Sequence, residues 1–134
     1  MLASVRTILL ALALGFAALP ACADNLSDFA AALERAAAQY HFALRAVETR
    51  GREETAAEVR LFRQEWQGLI DRLDHQRPAE FEGDNFYAIT LTEIDARLVA
   101  ALIVIDIGSR EAAREALTPI GETLVRLRER AEPR

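Results

Sequence analysis

Few residues in this chain have side chains suited to chemistry. Two are histidines, His41 and His75, and one is a cysteine, Cys22. As a shared metal site the histidines fail on geometry. His41 stands ten residues before the glycine at 51 and His75 twenty-four after it. At about 1.5 Å per residue the two lie about 20 Å apart along a helical hairpin turning there. One ion with ligands at about 2 Å does not bridge that gap. His41 alone is a candidate cofactor ligand, with Tyr40 beside it. Its plainer role is a half-buried histidine with a local hydrogen bond. His75 reads as a helix C-terminal residue, favoured there when protonated. No Glu-x-x-His spacing of the kind that carries bridged metals in bundles occurs. Glu93, Asp95 and Asp106 share one segment, and Glu93 with Arg97, four apart, reads as a surface pair. There is no Cys-x-x-Cys-His, no glycine-rich phosphate loop and no nucleophile–histidine–acid order. No catalytic residue is assigned, and neither a cofactor nor a metal is expected.

Cys22 lies in "LPACAD", behind an apolar run. Arg6 is a lone basic residue, and Thr7 to Leu19 (TILLALALGFAAL) is an apolar core of about 13 residues, short of the roughly 20 needed to cross a bilayer. Pro20 breaks it, and Ala21-Cys22-Ala23 gives the small-x-small pattern of an export-signal cleavage site. Residues 1–23 are therefore expected to be a signal peptide, with a periplasmic mature chain from Asp24. Leu19, Ala21 and Cys22 also resemble a lipobox. In that alternative Cys22 is the lipidated first residue, and only then does the protein touch a membrane. After cleavage at Ala23 no cysteine remains to form a disulfide.

The 134-residue chain is 51% apolar with a formal charge of −5. The length suits one small domain with one core. The acidic balance argues against a nucleic-acid partner, which needs a basic patch.

Glycine and proline cut residues 24–134 into four helical segments. The first, about 27–50, carries Phe29, Leu33, Ala36, Tyr40, Leu44 and Val47 at steps of three and four. Ser27 or Asn25 is its expected cap, and Gly51 its left-handed terminator. The second, about 53–75, carries Val59, Phe62, Trp66, Leu69, Ile70 and Leu73 and stops before Pro78. Residues 76–85 form the one real linker. Asp84 or Asn85 caps the third segment, about 85–107, and Ser109 the fourth, about 109–131, which Pro119 should kink. The offsets around Gly51 recur around Gly108. The expected fold is all-α: an up-down-up-down antiparallel four-helix bundle. In that bundle Trp66 comes level with Ala36 and fills the space left by Ala36, Ala37 and Ala38.

The third segment is apolar on two faces. Leu91, Ile94, Leu98, Ala101, Leu102 and Ile105 form the expected core face. Ala96, Val99, Ala100, Ile103, Val104 and Ile107 form a second. Either the linker with Phe81 and Phe86 covers that second face, or it associates with another subunit or a periplasmic partner.

In layout, "ALRAVETRGREETAAEVRLFRQEW" and "VAALIVIDIGSREAAREAL" resemble soluble cytochrome b562 and, more distantly, cytochrome c′. That resemblance implies a periplasmic four-helix bundle and, in the family, bound haem with electron transfer. The family's methionine early in helix one is replaced here by the neighbourhood of Phe29 and Leu33. The last helix reads "ETLVRLRER", without the family's histidine. No family ligand carries over, which leaves His41 as the haem or transition-metal candidate.

Overall fold

The computed structural model describes residues 21–132, with side chains from Asn25 onward. The four segments form four helices: α1 (Ala21–Thr49), α2 (Arg52–His75), α3 (Asn85–Ile107) and α4 (Arg110–Ala131). A single 3₁₀ turn, Ala79–Phe81, lies in the linker between α2 and α3. Consecutive helices pack against each other, and α1 closes the ring against α4. The result is the expected four-helix bundle, with no strand among the described residues. Residues 1–20 of the expected signal segment lie outside the described residues, and Ala21, Cys22 and Ala23 fall in the first turn of α1.

The apolar spacing explains the packing. Phe29, Leu33, Ala36, Tyr40, Ala43 and Val47 of α1 are buried. They meet Val59, Phe62, Trp66, Leu69 and Leu73 of α2, Leu91, Ile94, Leu98, Ala101 and Ile105 of α3, and Leu117, Ile120, Leu124 and Leu127 of α4 in one core. Trp66 lines a groove with Ala32 and Ala36. Ala32 and Ala36 make room for the indole there, whereas Ala38, expected beside it, is exposed on the other side of α1. Its Nε1–H donates across the core to the Leu91 carbonyl at 2.8 Å, using that oxygen's second lone pair. A buried indole N–H without such a partner would be costly.

Three expectations about the ends are corrected. Neither Asn25 nor Ser27 caps α1, because the helix already runs from Ala21. Gly51 is not left-handed: at φ −76°, ψ 170° it is extended and serves as the N-cap of α2. The break there is so short that the residue ending one helix must already open the next. The third correction concerns the linker. Phe81 turns inward, stacks on Tyr87 at 3.6 Å and meets Phe29 edge-on at 5.1 Å. The linker plugs the bundle end rather than covering the outer face of α3. Phe86 lies on the surface with the Arg130 guanidinium 4.0 Å over its ring.

Two caps form as the sequence implies. Asp84 accepts the Phe86 amide at 2.9 Å, and Ser109 accepts the Ala112 amide at 3.1 Å. Pro119 sits inside α4, which continues unbroken past it. Two residues later, at Gly121, α4 packs closely against Tyr40 of α1. A Cβ at Gly121 would stand 2.5 Å from the Tyr40 hydroxyl oxygen. Glycine is required there because the tyrosine ring occupies the space of a side chain.

The two hairpins clasp each other at the far end. Arg52, opening α2, donates to the Gly108 carbonyl at 3.1 Å. Arg110, opening α4, donates to the Glu48 carbonyl at 2.9 Å and the Arg50 carbonyl at 3.3 Å. Each second helix thereby satisfies carbonyls that the other hairpin's first helix leaves open. A cavity of about 200 Å³ lies among these residues, lined by Arg50, Arg52, Arg110, Thr55 and Ser109. The Arg52 and Arg110 guanidiniums are already engaged in holding the turns.

Candidate interaction surface on the third helix

α3 differs from its neighbours in what it shows to water. Of its expected core face, Leu91, Ile94, Leu98, Ala101 and Ile105 are buried and Leu102 is half-buried. Directly opposite, Ile89 is 66% exposed, Val99 37%, Ile103 57% and Ile107 77%. Ala96 and Ala100 are exposed between them. Of the expected second face, Ala96, Val99, Ala100, Ile103 and Ile107 are therefore on the surface. Val104 is not fully so. It is half-buried on the flank toward α4.

Ile89 was missing from the expected face. It stands seven residues before Ala96 and fourteen before Ile103, so the same heptad spacing that joins those two extends to it. In the sequence, the signal for it is this step of seven, which lies upstream of "LVAALIVIDI". From Ile89 to Ile107 the middle of the outward stripe is uncharged with Thr92 as its one polar member, and Glu93 on one edge and Asp106 on the other are the exposed charges that border it. At 1.5 Å per residue it runs about 27 Å.

Charge begins at the flanks. Toward α2, Asp95 accepts from Arg63 at 3.1 Å. Toward α4, Arg97 donates to Glu93 from both Nε and Nη2, at 3.1 and 2.9 Å. These polar edges confine the apolar stripe to a rimmed patch. Elsewhere exposed large apolar residues are few: Phe42, Leu61 and Val125 interrupt charged faces. Single apolar residues of that kind are ordinary on protein surfaces. A continuous rimmed stripe is not.

The other candidate residues are not brought together. His41 is exposed on α1, and its ring lies 5.6 Å from that of Tyr40. It is thus on the surface rather than half-buried, and no hydrogen bond to it forms among the described residues. Tyr40 points the other way, to Gly121. Burial, reinforced by the Glu122 carboxylate, pushes its hydroxyl above the usual tyrosine range, against a smaller opposing effect of the Gly121 backbone. His75 ends α2 on the surface, with Nδ1 2.8 Å from the Asp71 carbonyl. Among the described residues no group of three or more histidine, cysteine, aspartate or glutamate side chains is placed to hold a metal ion. The buried polar side chains are Gln39, Thr55, Thr90 and Thr123. His41 and His75 both lie on the surface, and no methionine or cysteine occurs among the residues whose side chains are described, so these residues do not fit a haem held between the helices. Among the described residues no helix is long and apolar enough to cross a membrane.

The class of the molecule is thus an antiparallel four-helix bundle with one helix apolar on both sides. No family model, no curated protein and no solved structure matches the chain.

Proposed function

We propose that this is an exported, non-catalytic bundle that works by association through the outer face of α3. The observation that carries the reading is the uncharged stripe from Ile89 to Ile107, open to water on a helix whose opposite face already builds the core. Exposed isoleucines contribute nothing to the bundle's own stability, whereas their burial against a partner contributes about 25 cal/mol per Å² removed from water. Export rests on residues 1–23, and a periplasmic location follows from cleavage after Ala23. Lipidation at Cys22 would tether the same surface beside a membrane.

A photo-crosslinking side chain placed at position 103 in the full-length protein, expressed with its own leader, tests the reading. Irradiation should give discrete higher-mass adducts, while the same group at Arg60, on a charged face, gives none. Equal yields at both positions, or none at either, would overturn it.

A further inference from the structure

The α3 stripe is self-complementary, and its flanking charges say how two copies would meet. The geometry points to an antiparallel pair of α3 helices, from two copies of this chain, related by a twofold axis near Ala96. This rests on the association reading above and names the partner. Isologous pairing requires that one patch fit itself. With the axis at Ala96, Ile89 of one copy lies opposite the partner's Ile103, seven residues to either side. The small residues Ala96 and Ala100 stand where the helices approach most closely, with bulkier isoleucines toward the ends.

The flank toward α4 decides the direction. In an antiparallel pair the α4-side flanks of the two copies face each other. Glu93 then comes within about one helical turn's reach of the partner's Arg97, and Arg97 of the partner's Glu93. Each pair that lies within one copy also acquires a cross-copy counterpart of opposite charge. In a parallel pair the α4-side flank would instead face the partner's α2-side flank. There Glu93 would meet Thr92 and the like charge of Asp95, and the one nearby positive charge, Arg63, is already bound to that aspartate at 3.1 Å. Charge complementarity therefore selects the antiparallel arrangement.

Area sets the strength. A stripe about 27 Å long and about 10 Å wide covers roughly 300 Å² per copy, well under the ~800 Å² per partner of a standard interface. The pair is accordingly weak and concentration-dependent, assembling over roughly 10 μM to 1 mM.

Two charge-reversal variants test the arrangement. Glu93→Arg gives a copy with two positive flank residues, and Arg97→Glu a copy with two negative ones. Sedimentation equilibrium of the full chain should show the native protein dimerising. Each variant alone should dimerise at least roughly tenfold more weakly, and an equimolar mixture should recover native association. Recovery only on mixing is the signature of Glu93 facing the partner's Arg97. Variants that dimerise as tightly as the native chain would overturn the register. If Ile103→Arg still abolished dimerisation in that case, the α3 face itself would stand. A native protein that stays monomeric to 1 mM would overturn the second copy as the occupant. Adducts from position 103 to a different protein would then retain the association reading, and their absence would remove it as well.

Discussion

The outer faces of α3 and α4 are built on the same plan inward and on opposite plans outward. Both helices bury leucine and isoleucine at three- and four-residue steps in one core. On the outside α4 shows Glu111, Glu115, Thr118, Glu122, Arg126 and Glu129, broken only by Val125. α3 shows Ile89, Ala96, Val99, Ala100, Ile103 and Ile107, with Thr92 among them and Glu93 and Asp106 at the edges. The fold accounts for the whole of α4, since an amphipathic helix with a charged exterior is what a small bundle requires. It accounts for only half of α3. The second half has no use within the described bundle, and that surplus carries the functional reading.

If the difference is real, inward substitutions should cost stability and leave association alone, while outward ones on α3 should do the reverse. The largest effect belongs to the core. Trp66→Ala removes a fully buried indole and orphans its bond to Leu91, and should cost about 3–5 kcal/mol in urea unfolding. A loss below about 1 kcal/mol would show that the indole is not the packing element described. Gly121→Ala comes next. Alanine is the better helix former by about 1 kcal/mol, yet here its Cβ would drive into the Tyr40 ring. We expect a net loss of about 1–3 kcal/mol, read from the same unfolding curves. A stabilised variant would mean that the α1–α4 approach is looser than described.

A smaller effect is expected from pH. The Tyr40 hydroxyl is raised in the folded protein, mainly by burial, so the unfolded chain ionises first. The contribution is fully present below about pH 10, the ordinary tyrosine value, and is lost as pH rises through the folded-state value. Tyr87 shifts in the same direction, again chiefly through burial. Tyr40→Phe should therefore flatten only part of the decline in unfolding midpoint between pH 9 and 11. An unchanged decline would place Tyr40 in a wetter setting.

Much of this was legible in the sequence. The four helices, the caps at Asp84 and Ser109, the burial of Trp66 beside Ala36 and the two-sided character of α3 all follow from local spacing. Local spacing fails where a residue's role depends on another segment. Phe81 reads equally well as a lid over α3 or a plug at the bundle end. Its stacking on Tyr87 decides, and that contact follows from where the linker crosses. Gly51 looks like a left-handed helix terminator until the next helix begins one residue later. His41 sits beside a core tyrosine in sequence, yet one step around a helix turns it through about 100° and onto the surface. Gly121 gave no signal at all, because the tyrosine that requires it belongs to α1.

The smallest stability effect is expected where association should change most. Ile103→Arg replaces an exposed side chain and should alter unfolding by no more than about 0.5 kcal/mol. Sedimentation equilibrium of that variant beside the native chain is the most direct test of the central claim. The account predicts a native protein whose weight-average mass climbs toward a dimer with concentration and a variant that stays folded and monomeric. A native protein and a variant with identical, concentration-independent monomer masses would contradict the pairing of α3 helices on which the account rests.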